Sequence, residues 1–195
     1  MTVRAYKFTK PGGMGPFFKL SWPLPSDGRP GAWVDAGRPA PCRSGIHACW
    51  AGQLPYWIRE ELWVVELDGD IVESAGKLVA SRGRLLEPVA AWMAGGAAAF
   101  ANDCARRTAE LAAELPDDAA PELVRLIEGY ASDAARYAAS GYPAVAAHVA
   151  ATAAGDAAAG HPIHEQDSPA GRAERARQAA WMVEHLGLGR DPLRR

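Results

Sequence analysis

Near residue 88 this chain changes character. Before that point Pro, Gly and Trp are frequent, and short apolar runs are separated by turn residues. After it alanine dominates, and Pro or Gly recurs only at intervals that fit helix ends. Alanine has the highest helix propensity, whereas proline is excluded from helix interiors and central strands. The two stretches therefore call for different regular structures. The expected fold class is α+β: a small, mostly antiparallel sheet over residues 1–87, followed by an alanine-rich helical region over 88–195 packed on it.

Within the first stretch, Val3–Phe8 reads as a strand with Val3, Ala5 and Lys7 on one face. Six prolines between Pro11 and Pro39 argue against regular structure there. Trp33-Val34 fits a short strand and Ser44–Cys49 a clearer one. Leu54–Glu61 is expected as a short helix with Pro55 at its first position. Leu62–Leu67 is the strongest strand, closed by a turn at Asp68-Gly69. Ile71–Glu73 and Lys77–Ser81 are further strands.

In the second stretch a first helix is expected from Pro88 to Leu115, with Val89, Trp92, Met93, Phe100, Cys104, Leu111 and Leu115 as its buried stripe. Asp117 or Asp118 caps a second helix that starts near Pro121, buries Leu123, Leu126, Ile127, Tyr130 and Tyr137, and ends at Ser140-Gly141. A third runs from Pro143 to about Ala154, and Gly155–Asp167 reads as a polar loop. Ser168 and Pro169 open the last helix and Gly187 closes it.

The formal net charge of −2 lacks the basic excess of a domain that neutralises phosphates, so nucleic acid is not an expected partner. Trp92–Ala101 is too short and too rich in Ala and Gly to span a bilayer, and Met1–Phe8 shows no signal-peptide pattern. Cys42, Cys49 and Cys104 are too few and too irregularly spaced for a disulfide framework. Together these features imply a cytoplasmic protein that does not use a membrane. The basic ending Arg190, Arg194 and Arg195 reads as a solvated tail.

The most distinctive segment is Pro41-Cys-Arg-Ser-Gly-Ile-His-Ala-Cys49. Strand alternation places Gly45, His47 and Cys49 on one face and Ile46 and Ala48 on the other. An imidazole and a thiol on one face suit a cleft; a hydrogen-bonded core histidine beside a small apolar cysteine fits the same pattern. No metal is expected, because Cys42, His47 and Cys49 lack a fourth ligand. Neither their spacing nor that of His161, His164 and Glu165 matches zinc-ligand pairs. Glu66, in mid-strand, must be paired, hydrogen-bonded or open to solvent, and Lys77 poses the same question at the head of its strand. The glycines of Pro11–Gly15 lack the Lys-Ser/Thr of a phosphate loop.

Two resemblances follow from these residues. Tyr6-Lys7-Phe8, the Cys42–Cys49 motif and Val65-Glu-Leu-Asp-Gly69 resemble a poorly characterised family of small domains common in phage and actinobacterial genomes. That likeness covers residues 3–85 and implies no activity. The order of the first strand, Gly-Ile-His-Ala, Leu-Trp-Val-Val-Glu-Leu-Asp-Gly and Lys-Leu-Val-Ala-Ser is also similar to the core of ADP-ribosyltransferases. That resemblance implies a nucleotide pocket, with His47 where an aromatic side chain stacks on nicotinamide and Lys7 near the NAD ribose. The catalytic glutamate of those enzymes heads a late strand; Lys77 stands there here, and Glu73 falls outside the pattern, so a degenerate or merely nucleotide-binding module is implied.

Two functions are therefore expected. One is a binding or accessory module for a protein or small ligand, without a cofactor, suggested by Trp22, Trp33, Trp50 and Trp57. The other is an ADP-ribosyltransferase-like module using NAD. The candidate pocket residues are Lys7, Arg43, Gly45, His47, Cys49, Glu66 and Lys77. Whether the chain is catalytic, and whether its helical half regulates, forms a homo-oligomer or serves as scaffold, stays open.

Overall fold

The computed structural model describes residues 2–16, 20–74 and 76–189; the basic ending lies outside them. The fold is α+β, with a five-stranded antiparallel sheet followed by four helices. The strands are β1 (Val3–Thr9), β2 (Val34–Asp35), β3 (Ile46–Ala48), β4 (Glu61–Ser74) and β5 (Lys77–Pro88), and the helices are α1 (Ala97–Ala113), α2 (Pro121–Ala139), α3 (Pro143–Ala159) and α4 (Pro169–His185). The chain divides into two compact units: residues up to Ala94 together with those from Met182, and Gly95–Trp181.

In the first unit β4 is central, pairing with β1 on one side and β5 on the other. The far edge of β5 takes β3 along Leu78–Ala80 and β2 at Arg82-Gly83. Just past β3, Cys49 and Tyr6 exchange both backbone hydrogen bonds at 2.9 Å. Pairing therefore runs β1–β4–β5–β3 and back to β1. Alternation sends Val3, Ala5, Trp63, Val65 and Leu67 into one apolar cluster with Ile46, Ala48, Leu78 and Leu85. Lys7 has the same parity as Val3 and Ala5.

Several sequence expectations need correction here. Leu54–Glu61 is not a helix: a 3₁₀ turn covers Ala51–Tyr56, and Glu61 already belongs to β4. Asp68-Gly69 does not end the strand. It forms a bulge, with Gly69 at φ +77° and the Ser81 hydroxyl within hydrogen-bonding distance of both the N–H and the carbonyl of Asp70. β4 continues to Ser74, and β5 runs on past Ser81 to Pro88. Among its described residues the Pro-rich segment 11–39 holds only isolated bridges and the two-residue β2, because proline cannot donate to a ladder.

The second unit is a helical layer around α3, which is buried along most of its length through Ala146, Ala147, Ala150, Ala151, Ala153 and Ala154. Side chains this small let neighbouring backbones come close. A Cβ on Gly155 would lie 2.7 Å from the Ser168 hydroxyl. α3 does not stop at Ala154: it continues to Ala159 and closes on Gly160 at φ +71°. Asp156, read as a loop residue, is fully buried in its last turn. It accepts from the N–H groups of Ile163 (2.8 Å) and His164 (2.7 Å) and from the Tyr130 hydroxyl (3.1 Å). Neither Asp117 nor Asp118 caps α2, whose capping residue is Ala120 with Pro121 at the first position. Ser168 does cap α4, accepting from the N–H of Gly171 at 3.1 Å. A π-helical turn at Trp92–Gly96 precedes α1 and turns Met93 outward, 43% exposed. No helix among the described residues is long and apolar enough to cross a membrane.

Candidate functional site

The first unit contains a cavity of about 610 Å³, a size typical of small-molecule sites. Six of the seven candidate residues line it: Lys7, Arg43, Gly45, His47, Cys49 and Lys77. Glu66 does not. It lies on β4 against Arg84, with an Arg84 nitrogen 2.6 Å from its carboxylate. Glu73 is also elsewhere, accepting from the Trp50 indole N–H at 3.1 Å.

Lys7 reaches the cavity from β1. Its ammonium donates to the His47 carbonyl at 2.6 Å and lies 5.3 Å from the centre of the Trp22 ring. Burial pulls the amine down from its ordinary value to about 8, with the neighbouring Cys49 thiol acting in the opposite direction.

His47 is held through both ring nitrogens. The N–H of Cys42 approaches Nε2 at 3.3 Å, which leaves Nδ1 to carry the proton and donate to the Gly45 carbonyl at 3.1 Å. Burial lowers the imidazole below its usual value; the bond to Gly45 opposes this, and the charges of Lys7 and Lys77 add to it. The ring is therefore a neutral, oriented wall of the cavity. Gly45 makes that orientation possible. It sits at φ +106°, and a Cβ there would come within 2.6 Å of Val79 Cγ1.

Lys77 heads β5 with its ammonium 2.8 Å from the Cys42 sulfur and 5.7 Å from the Trp57 ring centre. Cys42 is exposed, in a tight turn at φ +63°, whereas Cys49 is buried. Trp22, Cys42, Trp57 and Arg59 also line the wall and are not among the candidate pocket residues. In the sequence Trp22 and Trp57 stand out as tryptophans of a recognition surface, and Cys42 as part of the motif and of an incomplete metal-ligand set. Arg59 carries no readable signal, because the segment that presents it looks helical in sequence.

The four tryptophans expected at a recognition surface divide. Trp22 and Trp50 are buried, while Trp33 and Trp57 are half-buried. Trp22 is only 3% exposed, yet its indole N–H has no partner among the described residues.

The charge of the wall is one-sided. Lys7, Arg43, Arg59 and Lys77 are cationic, and no Asp or Glu stands among the described lining residues, although the chain as a whole is slightly acidic. Among the described residues no three His, Cys, Asp or Glu side chains group as metal ligands. The class these features define is an α+β protein with a cation-lined aromatic cavity in its sheet unit. Comparison with protein-family models, curated proteins and solved structures gives no match, so the function has to be argued from this cavity.

Proposed function

We propose that the sheet unit is a binding module for a small anionic ligand with an aromatic or apolar body. The observation that carries this reading is the wall of four cations and no carboxylates set among Trp22, Trp57 and Leu20. A cavity of one sign with low-dielectric walls concentrates ligands of the opposite sign, and aromatic faces supply sequestered contact area for a flat body. A buried indole N–H without a partner is a donor that an anion or carbonyl can satisfy. We place the module in a reducing cytoplasm, in keeping with three unpaired cysteines.

A second reading, nucleotide binding of the ADP-ribosyltransferase type, is favoured by Lys7 and His47 meeting on one cavity wall. It reduces to binding without transfer, since neither Glu66 nor Glu73 lines that wall.

The test is a thermal-shift titration with salicylate against its neutral twin salicylamide, with NAD and ADP-ribose run alongside. At a hundredfold excess over the dissociation constant a ligand adds about 2.7 kcal/mol, which moves the midpoint by several degrees for a chain of this length. The proposal expects a saturable rise with salicylate, little with salicylamide, and weakening by Lys77→Met. Equal responses to the two twins, or none at millimolar ligand, would overturn it. A shift with NAD and ADP-ribose in addition selects the nucleotide reading.

A further inference from the structure

We infer that Lys7 forms an imine with a carbonyl group of the bound anion, so that the ligands of this cavity are oxo-acids or anionic aldehydes. The inference rests on the anion-binding reading above and adds the chemistry of one side chain to it.

Strand alternation explains why Lys7 is unusual. Val3 and Ala5 are buried in the apolar cluster, and at the next position of the same parity β1 places an amine. Its Nζ lies against the His47 carbonyl and the Trp22 ring, and all three residues line the cavity. No carboxylate among the described lining residues is there to neutralise it, and three further cations share the wall. Burial away from solvent is a condition that makes a lysine nucleophilic. With the amine at about 8, roughly a quarter is neutral at pH 7.5, against about a thousandth for an ordinary lysine.

The step balances without an oxidant. The Nζ lone pair attacks the carbonyl carbon and forms the C–N bond, while the C=O π pair moves to oxygen. That oxygen takes up protons and leaves as water as the nitrogen loses its own, so amine plus carbonyl gives imine plus water. The N–H of the protonated imine can still donate to the His47 carbonyl that now holds the ammonium. Arg43 and Lys77, on the same wall, supply charge for the ligand's anionic group.

The experiment is reductive trapping on the full-length wild-type chain. Glyoxylate or pyridoxal 5′-phosphate is supplied with cyanoborohydride at pH 7.5, and adducts are mapped by peptide mass spectrometry over the four lysines of the sequence, Lys7, Lys10, Lys19 and Lys77. The expected result is a saturable adduct at Lys7, at least about tenfold ahead of exposed Lys10, and suppressed by salicylate. Lys7→Met and Lys7→Arg should each remove it while Lys10 labelling persists. Because the mapping is done on the wild-type chain, the result does not depend on either variant folding. Labelling spread evenly over Lys7 and Lys10, or centred on Lys77, overturns the inference. If the salicylate shift survives that result, the anion-binding reading stands without imine chemistry; if the shift is absent too, both fall.

Discussion

Replacing Lys7 by Met should make this protein more stable, and the effect should depend on pH in a defined direction. The substitution keeps an unbranched side chain of similar reach and removes the ammonium. Lowering the amine from 10.5 to about 8 corresponds to about 3 kcal/mol of unfavourable burial, at roughly 1.4 kcal/mol per pH unit. The side chain is only partly buried, so solvent screening reduces this to about 2 kcal/mol. Losing the donor to the His47 carbonyl gives back about 1 kcal/mol. The net expectation near pH 7 is about 1 kcal/mol of stabilisation, or a Tm higher by about 3 °C.

The pH dependence follows from which state holds the proton. Well below pH 8 the amine is charged in both folded and unfolded chains, and the folded wild type bears the whole penalty. Between pH 8 and about 10.4 the unfolded chain binds more protons than the folded one, so wild-type stability rises with pH. The advantage of Lys7→Met should therefore shrink across that interval. Urea midpoints followed by tryptophan fluorescence at pH 7 and pH 9.5 measure it, and groups common to both proteins cancel in the difference. A variant less stable than wild type at pH 7, or a gap of the same size at both pH values, would refute the account of Lys7 as a desolvated amine.

Two further outcomes are expected. Glu61 accepts from the N–H groups of Gly12 (2.8 Å) and Gly13 (2.9 Å), from the Thr9 hydroxyl (3.0 Å) and from the Trp63 indole (3.2 Å). Burial alone would raise its carboxyl, but these donors outweigh it and hold the group below its usual value. Its contribution is thus present above the unfolded value near 4.3 and lost as pH falls through the lower folded one. Glu61→Gln should cost about 1–3 kcal/mol at pH 7, with the gap closing towards pH 3 in urea titrations. Asp156→Ala strands two backbone donors and should lower stability by about 3 kcal/mol, read as lost hydrogen-exchange protection at Ile163 and His164. It should also let Tyr130, held up at about 12 by burial and by the Asp156 carboxylate, ionise at lower pH in an absorbance titration.

How much of the fold was legible depended on what each residue type can decide locally. The break near 88 was readable because proline and alanine act through the backbone itself, and the α+β class follows from it. Ser168-Pro169, Ser140-Gly141 and Gly187 marked helix ends for the same reason. Asp68-Gly69 misled because a two-residue turn and a strand bulge use the same glycine at positive φ. Only pairing with β5, and the Ser81 hydroxyl that bonds the Asp70 backbone, separates the two outcomes. The end of α3 misled because Gly155 and Asp156 look like loop residues. Asp156 is polar for the sake of the backbone of residues 163 and 164, a contact with no local signature.

The candidate site shows the same division between local and tertiary information. Gly45 and His47 could be picked out because a glycine and a histidine two residues apart in an apolar segment are locally costly and call for a reason. Glu66 drew attention on the same argument, and the structure supplies a different reason for it: a paired Arg84 away from the cavity. A charge in mid-strand thus identifies a residue that needs a partner without saying whether that partner is protein or ligand. Lys7 and Glu66 differ on this point. Glu66 meets an opposite charge, whereas Lys7 meets a carbonyl and an indole face. A charge that the fold has not neutralised within its own wall is the better guide to an external ligand. On that ground the cavity around Lys7, and not the ion pair on β4, is where function should be sought.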